Sequence, residues 1–239
     1  MSVKSRKSLK SRIPHGDEPG DAFVDTFVKS APRSSSGQTV RGKQAVRVTG
    51  GEMRSRRLHF PAMPGLRPTP DRVRETLFNW LGQNLNGWRV LDLFAGSGIL
   101  GIESLSRGAQ WVGLIEQSAR VAAEIRNSLK SMSVSDERAR VWSQDALGWL
   151  RQAPTQLAPG ERVDLVFLDP PFARLDLLSE AVERLQQADW LADDAYMYIE
   201  QSAQEATIQP VGWVRLREGR AGESAFALWR REKAAPPSE

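Results

Sequence analysis

The sequence predicts a doubly wound α/β fold: a seven-stranded mixed sheet with helices on both faces and an antiparallel strand at one edge, preceded by a small basic β-hairpin. Three observations carry this expectation. From residue 89 onward, short apolar runs alternate with segments of helical periodicity, the pattern of parallel strands joined by crossover helices. The first run ends in a glycine-rich turn, Gly96-Ser97-Gly98. The last two runs are separated only by a turn, so they must pair antiparallel.

Residues 1–42, rich in Ser, Lys, Arg, Pro and Gly, lack an apolar period and are expected to be a disordered basic extension. Val46 and Val48, then Gly50-Gly51, then Leu58 and Phe60 read as two short strands around a turn, with Arg47, Arg54, Arg56 and Arg57 interleaved. Thr69 suits an N-cap and Pro70 a first helical position, and Val73, Leu77, Trp80 and Leu81 repeat at helical spacing, which predicts a helix over 70–82. Residues 43–83 thus form a hairpin-and-helix unit, 84–233 the main domain and 234–239 a tail. Within the main domain, strands are expected at Arg89–Phe94, Trp111–Glu116, Arg140–Ser143, Val163–Asp169, Ala195–Glu200, Trp213–Glu218 and Ser224–Arg230. Helices are expected at Ile99–Arg107, Ser118–Met132 and Leu175–Gln187.

Composition narrows the chemistry. There is no cysteine, which removes disulfides, thiolate metal sites and cysteine nucleophiles. His15 and His59 are the two histidines, so neither a His-rich metal centre nor a Ser-His-Asp triad is expected, and no metal is expected. Residues 1–57 hold 13 Lys and Arg against 5 Asp and Glu, whereas the remainder holds 20 against 24. A basic front on a mildly acidic body suits a polyanion, since each neutralised phosphate releases counterions. No apolar run is long enough to cross a membrane and no secretory signal is visible, which predicts a soluble, cytoplasmic protein.

The densest chemical signal runs from Val90 to Gly101. Gly96, Gly98 and Gly101 satisfy G-x-G-x-x-G, and Glu116 ends the next predicted strand 20 residues after Gly96, where its carboxylate could meet ribose hydroxyls. Alone, this fits a dinucleotide as well as S-adenosylmethionine, and a ligand-free turn is a third reading. Asp92 favours the sulfonium ligand, because a carboxylate there attracts a cationic amino-acid end and repels a pyrophosphate. At the carboxyl end of the fourth predicted strand stands Asp169-Pro170-Pro171-Phe172. Two prolines remove two backbone donors, leaving the Asp169 side chain and the Pro170 carbonyl to accept the two hydrogens of an exocyclic base amine, with Phe172 stacked on the base. A proline-rich structural turn is the alternative.

The Asp92–Gly101 loop resembles that of class I S-adenosylmethionine-dependent methyltransferases, and Asp169–Phe172 resembles the tetrapeptide of those that modify exocyclic amines. Together with Val48-Thr49-Gly50-Gly51, Leu66-Arg67-Pro68-Thr69, Arg72-Val73-Arg74-Glu75 and Leu77–Leu81, the chain is similar over residues 45–231 to the bacterial 16S ribosomal RNA guanine-N2 methyltransferase family. The resemblance implies a Rossmann-like class I methyltransferase fold and methylation of one guanine of 16S RNA, in the small ribosomal subunit or its assembly intermediate, by a monomer. It implies that Asp92, Phe94, Gly96, Ser97, Gly98, Glu116 and Asp145 line the cofactor, although Asp145 suits a helix N-cap almost as well. Arg67 and Thr69 would close over the cofactor or the RNA, and Arg47, Arg54, Arg56, Arg57, Arg72 and Arg74 would meet the RNA. Trp142 and Trp149 could flank adenine, with core packing the stronger reading. The rivals are an adenine-N6 methyltransferase, a nucleotide-binding oxidoreductase, in which Asp169–Phe172 has no role, and a non-catalytic RNA-binding protein.

Overall fold

The computed structural model describes residues 42–158, 160–172 and 174–232. The expected disordered extension, Gly42 apart, and the expected tail lie outside them. Among the described residues, no helix is long and apolar enough to cross a membrane.

The chain opens with β1 (Lys43–Arg47) and β2 (Arg57–Pro61), an antiparallel pair in which Val46 faces Leu58 and Arg47 faces Arg57. Helix α1 (Asp71–Trp80) follows, then β3 (Arg89–Asp92), α2 (Ile99–Ser106), β4 (Trp111–Glu116), α3 (Ala119–Ser131) and β5 (Ala139–Ser143). After these come α4 (Ala146–Gln156), β6 (Val163–Leu168), α5 (Leu175–Gln186), β7 (Leu191–Ser202), β8 (Trp213–Ala221) and β9 (Ser224–Arg231). The seven-stranded sheet has the order β5-β4-β3-β6-β7-β9-β8. Its first five strands run parallel, and β9 is antiparallel to both β7 and β8. The chain order reverses between β3 and β6, which opens a crevice at their carboxyl ends.

Two apolar layers flank the sheet. One packs α1, α2, α3 and the hairpin against Val90, Phe167, Tyr198 and Leu228. The other packs α4 and α5 against Leu91, Val166, Leu168 and Met197. The hairpin shares the first layer through Val46, Val48, Met53, Leu58 and Phe60, so it is continuous with the main core. Helix α1 reaches the sheet through Phe78, edge-on to Phe167 at 6.4 Å between centroids.

Three elements differ from expectation. Helix α4 is an addition, although Ala146, Trp149, Leu150 and Ala153 lie at helical spacing and are all buried. Pro154 near its end and Gly148 near its start mask the pattern. Strand β7 runs from Leu191 to Ser202, well beyond the expected six residues, because it pairs along both edges, with β6 and with β9. Helix α1 begins one residue later than expected, behind Pro70, with no side-chain cap. The Thr69 hydroxyl donates instead to a carboxylate 100 residues away, that of Asp169.

Candidate active site

The carboxyl ends of β3, β4, β6 and β7 bring four carboxylates together. Strand β3 runs straight into the glycine turn, where Gly96 (φ 52°) and Gly98 (φ 79°) adopt left-handed conformations that side chains resist. Gly98 then caps α2. At Gly101 the need for glycine is steric, since a Cβ would lie 2.8 Å from a Leu114 methyl of β4. Glu116 ties the turn down: one oxygen accepts the Gly96 amide at 3.0 Å and the other the Ser118 amide at 2.7 Å. Burial raises the Glu116 carboxyl above its ordinary value, and those two amides oppose the rise.

Asp92 is buried at the end of β3, with one oxygen accepting the Gly101 amide at 3.2 Å. Burial pushes its carboxyl up to about 7, Glu116 adds to the rise, and the amides of Gly101 and Phe94 act against it. Asp92 pairs in register with Phe167, and Leu168 with Ile199. Alternation along the strands therefore sets Asp169 on the same side as Asp92, and next to Glu200 of β7. Asp169 is half-buried and accepts the Thr69 hydroxyl at 3.2 Å. Its carboxyl is raised well above the ordinary range by burial, then by Glu200 and by Asp92, with Thr69 pulling the other way. Glu200 is raised by burial, and it accepts the hydroxyl of the fully buried Tyr198 at 2.8 Å.

The groups acting on Asp92 and Asp169 are thus burial, neighbouring acids, amides and a hydroxyl. Such an acidic crevice suits a ligand that brings its own positive charge, as the sulfonium and ammonium groups of S-adenosylmethionine do, and disfavours a pyrophosphate. The residues present fit that cofactor. Beyond Asp169, Pro170 is buried, Pro171 exposed, and the Phe172 ring is 41% exposed, one of few large apolar side chains left in water among the described residues.

The closing segment joins the site through Thr69, which is 5% exposed, while Arg67 is exposed. Phe94 is half-buried and Ser97 buried within the glycine turn. Asp145 caps α4, accepting the Gly148 amide at 2.6 Å, which is the helix-capping role. Trp149 is fully buried and Trp142 nearly so, edge-to-face at 5.4 Å, so both belong to the core.

Among the arginines expected to meet RNA, one assignment is corrected. Arg74 is completely buried, bonded to the Thr69 carbonyl at 2.9 Å and paired with Glu103 and Asp71, so its guanidinium holds the fold and cannot reach a phosphate. Arg47 is exposed and paired with Asp71 at 2.9 Å, and Arg56 donates to the Ser131 carbonyl at 2.7 Å. Arg54, Arg57 and Arg72 are exposed on the hairpin and on α1. Sequence reasoning misses Glu200, Tyr198, Glu103 and Thr49. Glu200 closes a predicted strand at the same level as Asp169, a signal that could have found it.

Residues 46–230 match the family model described as conserved hypothetical protein 95. The chain is 40% identical over 206 residues to the ribosomal RNA small subunit methyltransferase D of Escherichia coli strain K12, covering 86% of this chain and 96% of that one. The chain belongs to this methyltransferase D family. The Haemophilus influenzae member is 39% identical, covering 80% of this chain and 97% of its own length. Among solved structures, that of the Escherichia coli protein yhhF superposes with a TM-score of 0.69 at 38% identity, covering 80% of this chain and all of that one. The matched span, residues 46–230, takes in most of the hairpin as well as all of the sheet but Arg231.

Proposed function

We propose that this methyltransferase D family member transfers a methyl group from S-adenosylmethionine to the exocyclic N2 of a guanine in 16S ribosomal RNA, within the small ribosomal subunit or its assembly intermediate, in the cytoplasm. The observation that carries the reading is Asp169. Its carboxylate stands at the switch point of the sheet, fixed by Thr69, followed by two prolines that offer no N–H and by an exposed aromatic ring. Bound between Asp92, the glycine turn and Glu116, the cofactor supplies an electrophilic methyl group. Asp169 and the Pro170 carbonyl accept the two amine hydrogens, which turns the nitrogen lone pair toward that methyl carbon. Phe172 stacks on the unstacked base. As nitrogen gains the methyl group and the carbon–sulfur bond breaks, the surplus proton leaves to Asp169 or to water. The named substrate of the relatives supports an RNA of the small subunit, and the exposed Arg54, Arg57 and Arg72 supply cations for its phosphates.

The test is single-turnover methylation of small-subunit particles with saturating cofactor, the product mapped by mass spectrometry. Asp169→Ala should slow transfer by about two to four orders of magnitude and leave cofactor affinity within a few fold, because its bonds to the amine strengthen only in the transition state. A wild-type rate in that variant would reduce the tetrapeptide to a structural turn. Methyl found on an adenine N6 would replace the base assignment.

A further inference from the structure

Besides its apolar packing, the hairpin is tied to the body by polar contacts that lead to a buried ion pair. Arg74 of α1 and Glu103 of α2 have fully buried side chains and pair with each other. Sequestering such a pair gains little over an apolar contact, because desolvation offsets the attraction. What the pair adds is direction. The three guanidinium nitrogens of Arg74 go to three places: the Thr69 carbonyl at 2.9 Å, Glu103 and Asp71. Glu103 in turn accepts the Thr49 amide at 3.0 Å, the Thr49 hydroxyl at 2.8 Å and Arg107 at 3.0 Å. The second oxygen of Asp71 accepts Arg47 of β1 at 2.9 Å. At the far end, Thr69 donates to Asp169. Thr49, two residues past β1, and Asp169, just past β6, therefore belong to one unbroken chain of polar contacts through Glu103, Arg74 and Thr69.

We infer that Arg74, Glu103 and Thr49 are positioning residues, which hold Thr69 against Asp169 so that the readiness of this carboxylate to accept the substrate amine depends on how the basic hairpin is seated. The inference rests on the proposed roles of Asp169 and of the hairpin. Its physical basis is the balance at Asp169. Glu200 from β7, which bonds Tyr198, and Asp92 from β3 favour the protonated acid, and the Thr69 hydroxyl favours the ionised acceptor. The Thr69 bond is 3.2 Å long, so a shift of a few tenths of an ångström in the 66–69 segment weakens it steeply. Arg74 holds the carbonyl of that same residue, and RNA drawing on the hairpin acts on Arg74 through Thr49 and Glu103.

The experiment follows the Asp169 carboxyl carbon by NMR titration of the full-length protein without RNA, alongside single-turnover methylation at saturating particles and cofactor. Thr69→Val should move the Asp169 midpoint upward by about one pH unit, and Thr69→Ser should restore it. Thr49→Val and Arg74→Lys should move it in the same direction by less. On the acid limb of the rate profile, Thr49→Val should slow transfer by about threefold to tenfold with little change in KM, a split that a merely structural hairpin contact would not produce. Combined with Thr69→Val, it should add no further loss. The inference is overturned if folded Thr49→Val leaves both the titration and kcat at wild-type values, or if its effect multiplies with that of Thr69→Val. Should Arg74→Lys fail to fold, Thr49→Val alone decides. The titration needs no substrate, so a wild-type protein inactive on particles would sink the proposed function and leave this test standing.

Discussion

Asp92 makes cofactor binding countable in protons. Its side chain is 2% exposed, and burial carries the carboxyl from 3.8 up to about 7. At pH 7, about half of the ligand-free molecules therefore hold a proton there. A cationic ligand end seated beside it selects the ionised form, so binding should release about 0.5 proton at pH 7, about 0.9 at pH 6 and about 0.1 at pH 8. Affinity for S-adenosylmethionine should accordingly fall nearly tenfold for each pH unit below about 7 and level off above about 8. Titration calorimetry in two buffers of different ionisation enthalpy reads the proton number directly. Asp92→Asn keeps an oxygen for the Gly101 amide and cannot titrate, so its proton release should vanish.

The same carboxyl has a sign in stability. The folded chain holds the Asp92 proton more tightly than the unfolded chain, so its contribution is full below 3.8 and is lost as pH rises through about 7. The gap of about 3 pH units corresponds to about 4 kcal/mol at its upper limit. Asp92→Asn should therefore stabilise the ligand-free protein by an amount that grows between about pH 4 and 8. Wild-type protein that binds the cofactor at pH 6 without releasing a proton would refute the reasoning, as would a release unchanged in Asp92→Asn.

Three further outcomes are expected. Glu116→Ala should weaken cofactor binding by about 1–3 kcal/mol, because it removes the acceptor of the Gly96 and Ser118 amides as well as the carboxylate offered to ribose; unchanged calorimetric affinity would contradict that role. Replacing Arg54 and Arg57 by Ala should lower the salt slope of RNA binding by about one for each phosphate that is no longer neutralised, whereas Arg74→Ala should instead cost about 3–5 kcal/mol of folding stability by leaving the buried Glu103 underpaired. Filter binding across a salt series and denaturant unfolding separate the two effects, and a flattened slope for folded Arg74→Ala would reverse the assignment.

The sheet is legible in the sequence because its signals are local. Val90–Phe94, Trp111–Glu116 and Val163–Leu168 announce themselves as apolar runs, and the turn between β8 and β9 leaves room only for antiparallel pairing. The ligand crevice is legible for the same reason, since Gly96, Gly98 and the prolines after Asp169 are constraints on the backbone at one place. Helix α4 escapes because Gly148 and Pro154 are both poor helix residues in isolation. Its buried face against β4 outweighs that propensity, and packing is not visible in a window of eleven residues.

What stays illegible is the ownership of the polar side chains. Thr69 stands before a proline-led helix in a place suited to an N-cap, and local rules assign its hydroxyl to that helix. The fold gives it to Asp169. Arg74 sits among Arg72 and the hairpin cations in sequence, yet the helical turn between Arg72 and Arg74 rotates one into solvent and the other against Glu103 of α2. A charge census counts both as equal. The pairings that decide their roles span 29 residues for Arg74 and Glu103, 54 for Thr49 and Glu103, and 100 for Thr69 and Asp169. Each closes only once α1 and the hairpin have docked on the sheet. The buried charges that couple the basic hairpin to the proposed methyl-transfer site are therefore a product of tertiary packing, with Glu103, the residue at their centre, lying in a helix that the sequence marks only by its apolar period.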